Sequence, residues 1–163
     1  MSGTPRYSHV QRGTVIVLAL GMSFLLCGVL AIAIPTLEAR LALAVVSPLL
    51  LAALVAFGSL STQVGARELG VHFGPGWIRR TIPLREIEQA EPVRNSWLMG
   101  WGIHYIGRGW LWNVSGFDAV ELRLRGGRRF RIGTDDPQGL VDALERALAT
   151  LPPFTVRPSE RTS

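Results

Sequence analysis

A chain of 163 residues has room for one membrane module and one domain of roughly 90 residues, and only 18% of its residues are charged. The formal charge of +5 is too modest to mark a nucleic-acid binder, and the lone Cys27 excludes an internal disulfide and most cysteine-based metal sites. All seventeen basic residues are arginine, the signature of a GC-rich genome rather than of a site.

The charges are unevenly spread. Arg6 and Arg12 lie in residues 1–12, expected to be a cytoplasmic N-terminal tail. No charge occurs from Gly13 to Leu37 or from Leu41 to Ala66. A bilayer core about 30 Å thick needs about 20 apolar residues, and residues 13–63 supply a hairpin with spans at about 14–34 and 41–61. Pro35 ends the first span, because the residue before proline avoids helical geometry. The connection Pro35–Arg40 is short enough to force antiparallel helices. The first run exceeds the apolar core of a signal peptide, about 7–15 residues, and a second follows at once. Pro48 falls within the second span, and Gly21 and Gly28 are expected to let the two helices pack closely. Arginines flank the outer ends (Arg6 and Arg12, then Arg67, Arg79 and Arg80), whereas Glu38 and Arg40 cancel between the spans. The positive-inside rule therefore predicts a multi-pass inner (plasma) membrane protein with both termini cytoplasmic.

Beyond Gly65 the pattern becomes short alternating runs. Strands are predicted at Leu69–Phe73, Trp77–Ile82, Ile87–Val93, Trp101–Ile106, Trp110–Val114, Phe117–Arg125 and Arg129–Thr134. The last pair fixes an odd loop, because side-chain direction has period two. A Gly126-Gly127-Arg128 loop sets Leu124 opposite Phe130 and Leu122 opposite Ile132. The outer face then carries Arg123 opposite Arg131 and Arg125 opposite Arg129, with little relief from Glu121, each like-charge pair costing up to about 1 kcal/mol. Asp136 is a good N-cap and Pro137 suits the first helical position. Leu140, Val141, Leu144, Ala147, Leu148 and Leu151 then form one stripe on a helix spanning 137–151. That helix is expected to cover the sheet, and residues 152–163 to form a disordered tail.

Trp101-Gly102-Ile103, Asn113-Val114-Ser115-Gly116, Val120-Glu121-Leu122 and Arg131-Ile132-Gly133-Thr134-Asp135-Asp136-Pro137 resemble the run found in bacterial pleckstrin-homology-like (PH-like) domains. Many of these follow paired transmembrane helices. The resemblance covers about 67–151. It implies an α+β membrane protein: a two-helix transmembrane hairpin, then a PH-like seven-stranded antiparallel β-sandwich or barrel with a C-terminal capping helix. It implies a membrane-proximal role and no particular activity.

No catalytic, cofactor-binding or metal site is predicted. His9, His72 and His104 have no carboxylate or second histidine at ligand spacing. The glycine turns precede no helix and are not phosphate loops. Two surfaces remain. Arg123, Arg125, Arg129 and Arg131 are the candidate contact with an anionic surface. Trp97, Leu98, Met99 and Trp101 form an apolar loop, a candidate for the membrane interface, unless it folds back onto the sheet. The stretch from Ser61 to Leu69, at most roughly 28 Å when extended, is expected to tether the domain near the inner leaflet. The expected function is a non-catalytic membrane-apposed module contacting anionic lipid or a protein partner. The alternative is an accessory or scaffold subunit whose hairpin binds other membrane proteins or a second copy.

Overall fold

The computed structural model describes residues 6–151. Two helices, α1 (Thr14–Ala33) and α2 (Leu37–Phe57), are long and apolar enough to cross a membrane. At 1.5 Å per residue each is about 30 Å long, the thickness of a bilayer core. Ile34 is extended, as a residue preceding proline should be, and stops α1. The second helix begins four residues earlier than the charge pattern predicts. Glu38 lies in its first turn, where the helix dipole favours an acid. Arg40 donates from Nε to the Ile34 carbonyl oxygen at 3.1 Å, satisfying a carbonyl just beyond the end of α1. Pro48 is accommodated within α2, and the adjacent Ser47 hydroxyl donates to the Leu43 carbonyl at 2.8 Å.

The main departure from expectation lies at the base of this hairpin. Residues Tyr7–Arg12 are not a tail but a strand, β1, and the end of the expected second span is another strand, β2 (Ser59–Val64). The two pair antiparallel from Arg12 opposite Ser59 to Tyr7 opposite Val64. One residue separates helix from strand on each leg, and these two residues bond directly, Gly13 N–H to the Gly58 carbonyl at 2.9 Å. The tether expected between hairpin and domain is therefore a paired strand.

Seven further strands follow, close to the predicted positions: β3 (Glu68–Phe73), β4 (Ile78–Pro83), β5 (Ile87–Arg94), β6 (Gly102–Tyr105), β7 (Gly109–Asn113), β8 (Asp118–Leu124) and β9 (Arg129–Gly133). The expectation of seven antiparallel strands is corrected to nine strands among the described residues. They form two sheets, ordered β1-β2-β3-β4 and β5-β8-β9-β7-β6, with β7 and β9 parallel. The sheets share one core: Leu60, Val71 and Phe73 from the first meet Trp112, Leu122 and Phe130 from the second. Helix α3 (Pro137–Ala149) buries Leu140, Val141, Leu144 and Ala147 in that core. Asp136 caps it by accepting from the Gly139 N–H at 3.0 Å. The tail assigned to 152–163 lies outside the described residues.

The β8–β9 register also differs from the prediction. Its parity is right but it is displaced by two: Leu122 faces Phe130, Val120 faces Ile132, and Arg123 faces Arg129. The loop is still three residues, Arg125-Gly126-Gly127, closed by the Leu124 N–H bond to the Arg128 carbonyl at 2.8 Å. Gly126 and Gly127 have φ of +80° and +75°, and the shift puts Gly127 rather than Arg128 at the last loop position, where a three-residue hairpin loop takes left-handed geometry.

Candidate functional site

The displaced register rearranges the four predicted arginines. Arg131 lies opposite Glu121, not Arg123. Arg131 donates to Glu121 Oε2 from Nε at 3.1 Å and from a second guanidinium nitrogen, while Arg129 donates to Oε1 at 3.0 Å. Glu121 is only 4% exposed, Arg131 15% and Arg129 38%. Asn95 Oδ1 accepts from Arg131 at 2.9 Å, and Met99 Sδ lies 3.8 Å from the same nitrogen. The segment from Asn95 to Met99 thus folds back onto Arg131 on the outer face of the second sheet. Two of the four arginines share one carboxylate as their ion-pair partner, contrary to the expectation that Glu121 gives little relief. Arg123 remains exposed on β8, and Arg125 lies in the adjoining turn.

The apolar loop divides in the same place. Met99 turns back onto Arg131, while Trp97 and Leu98 are 72% and 75% exposed. Trp101 packs against Phe117, ring centroids 6.4 Å apart. Folding back onto the sheet therefore holds for Met99, whereas Trp97 and Leu98 stay exposed.

Strand orientation locates both surfaces relative to the hairpin. The β7–β8 connection touches the hairpin base: Gln11 Nε2 donates to the Ser115 carbonyl at 2.9 Å. The β3–β4 turn does so too, since Gly74 N–H donates to the Ser59 carbonyl at 2.9 Å. Gly74 has φ +46°, and a Cβ there would collide with the Val55 and Ala56 carbonyl oxygens, so only glycine lets this turn nest under α2. The 95–101 segment starts where Arg94 faces Asp118 and ends where Gly102 faces Asn113, again at the hairpin end. Arg123 is five residues further along β8, about 17 Å away at strand rise. The arginine turn and the aromatic loop occupy opposite ends of the domain.

Several residues of the base were not foreseen. Tyr7 donates to Asp136 Oδ2 at 3.0 Å, Arg6 to the Thr150 hydroxyl at 2.8 Å, and His9 contacts Asp135. His9 therefore has a carboxylate partner, contrary to the sequence expectation. Burial, then the bond to Asp136, pushes the Tyr7 phenol well above its ordinary pKa. Burial alternates along β1, with Tyr7, His9 and Gln11 turned inward and Ser8, Val10 and Arg12 exposed, a pattern that the residue types do not announce because the aliphatic Val10 lies on the exposed face. A line of rings runs inward from α2, with centroids 5.3 Å apart for Phe57–Phe73, 5.1 Å for Phe73–Trp112 and 5.5 Å for Trp112–Phe130. Arg80 caps it, 4.5 Å from the Phe130 centroid, and its burial lowers the guanidinium pKa. Among the described residues no group of three or more His, Cys, Asp or Glu is placed to hold a metal ion.

No protein-family model matches the chain, and no curated protein is similar to it.

Proposed function

We propose that the chain is a non-catalytic inner-membrane protein whose hairpin spans the bilayer, both ends cytoplasmic, holding a PH-like domain against the inner leaflet. The observation that carries this reading is the β1–β2 pairing across the hairpin base. It fixes both helix ends on one side of the domain and leaves a single residue between membrane helix and sheet. Arg12 and Arg79 lie at that end, whereas Glu38 and Arg40 offset each other at the far tip, in keeping with a cytoplasmic domain. The PH-like assignment rests on the sequence resemblance, together with two sheets over one core and a C-terminal helix. The parallel β7–β9 pair and the strand before the hairpin depart from that pattern.

Such a module serves contact with anionic lipid or a protein partner. The position of Arg123 and Arg125 at the end away from the hairpin favours an acidic protein segment for that face. Fusions at the C-terminus test the orientation: a reporter active only in the cytoplasm should give signal. Activity of a periplasm-only reporter at the same position would overturn the proposal.

An accessory-subunit reading draws on a different observation. A Cβ added at Gly21 or Gly28 meets nothing within 4 Å, so these glycines are not the contact between α1 and α2 that the sequence suggests. They present small surface outward, which suits packing by a helix of another membrane protein. Co-purification from native membranes in mild detergent distinguishes the two readings.

A further inference from the structure

Resting on the reading of the hairpin as membrane-spanning, we infer that the surface contacting the leaflet is a rim around the hairpin base. It is formed by Trp77, Trp97 and Leu98 with Arg12, Arg79 and Arg94, and not by the four-arginine face.

Trp77 is 69% exposed and sits in the turn that Gly74 fits beneath the last turn of α2. Trp97 and Leu98 project from the segment that crosses the same end of the second sheet. Each sheet thus contributes exposed indole beside the helix exits, one from a β-turn and one from a connection. Indole rings partition to the bilayer interface, where the ring is in apolar surroundings and the N–H is wet. If the helices cross the bilayer, this end of the domain is held beside it, because β1 and β2 continue from the helices with one residue between. Arg12 directly precedes α1, Arg79 lies one residue beyond the start of β4, and Arg94 ends β5 opposite Asp118; all three arginines are exposed. Their cationic groups belong at the headgroup level, below the indoles, and fit the phosphates of an anionic phospholipid. The occupant of this rim is the bilayer that receives the hairpin.

The test uses full-length protein reconstituted into phosphatidylcholine–phosphatidylglycerol vesicles, with an environment-sensitive fluorophore on single cysteines. The native Cys27 reports on the hairpin. In a Cys27→Ser background, Trp77→Cys and Leu98→Cys report on the rim, and Arg123→Cys on the far end. Shallow spin-labelled lipids should quench labels at 77 and 98 and leave 123 to aqueous iodide. Spin-labelled phosphatidylglycerol should quench position 77 more than spin-labelled phosphatidylcholine does, and Arg12→Gln with Arg79→Gln should abolish the difference. If Cys27 is quenched by deep spin-labelled lipid while 77 and 98 behave like 123, the rim is wrong and the membrane reading stands. If Cys27 is not quenched by lipid either, the membrane reading itself fails. Equal quenching by the two lipids at position 77 in the parent would remove the arginine component.

Discussion

Glu121→Gln removes the carboxylate shared by Arg129 and Arg131 while keeping volume and one acceptor. Deleting one partner of a buried ion pair costs about 3–5 kcal/mol, because the other charge stays buried and uncompensated. Arg131, with 15% of its side chain exposed, falls in that regime. Arg129 is 38% exposed, so solvent limits its share to about 0–1 kcal/mol. With one glutamine oxygen still accepting, the lower end applies, about 3 kcal/mol. At roughly 4–8 °C per kcal/mol for a domain of this size, the midpoint should fall by roughly 12–24 °C. Near-UV circular dichroism of the full chain in mild detergent follows the tryptophans of the domain through this transition. Arg123→Gln is the control: its side chain is exposed and faces Arg129, so stability should move by less than about 0.5 kcal/mol. The double change Glu121→Gln with Arg131→Met leaves no buried guanidinium there and should recover part of the loss. A drop below about 1 kcal/mol for Glu121→Gln would place the carboxylate in solvent. A double variant no better than the single would also refute the reasoning.

Tyr7→Phe should cost about 1 kcal/mol through the bond lost to Asp136, measured by thermal melts. Because the folded phenol has its pKa raised, its stabilising effect is complete below about pH 10 and is lost as pH climbs above that. Ultraviolet difference titration should show Tyr7 ionising above the ordinary tyrosine range, and stability of the Tyr7→Phe variant should fall less steeply in alkali. Gly74→Ala adds a collision with α2 to a strained φ and should exceed the roughly 1–2 kcal/mol that left-handed backbone alone costs. Gly126→Ala, where a Cβ meets nothing within 4 Å, should show the backbone cost alone; equal melting points would contradict the nesting of the turn. Leu144→Ala, on the buried face of α3, should cost about 2–5 kcal/mol in the same assay.

The parts of the fold that were legible in sequence are those written in local pattern. Leu69, Val71 and Phe73 alternate and all three are buried; the apolar stripe from Leu140 to Ala147 is the buried face of α3. The hairpin base was hidden for two physical reasons. Ser59-Leu60-Ser61-Thr62 carries no charge, so a strand buried against the core extended an apolar run without a break. Its partner, Tyr7–Arg12, lies across the entire hairpin in sequence, beyond the reach of any periodicity. The β8–β9 parity followed from side-chain alternation, but the register depended on which residues took the left-handed turn geometry. That choice decided whether Arg131 met Arg123 or Glu121. Glu121 sits on the outward face by alternation yet is buried beside Arg129 and Arg131, and Arg131 is held in turn by Asn95 and Met99 from a distant segment. Trp97 and Leu98 were visible as apolar loop residues, whereas Trp77 acquires its position solely from the packing of Gly74 under α2.

The first sheet closes across the base of the helical hairpin. Ser8 and Gln63 face one another directly on β1 and β2, and both are exposed. Opposed residues of an antiparallel pair have Cα atoms about 4.5–5.5 Å apart, within the span of a disulfide. With Cys27 replaced by serine, Ser8→Cys/Gln63→Cys should form an intrachain disulfide under mild oxidation in membranes, identified by mass spectrometry of the linked peptides. Arg12→Cys/Gln63→Cys, four positions out of register, should not. Failure of the first pair, or equal cross-linking of both, would contradict the account.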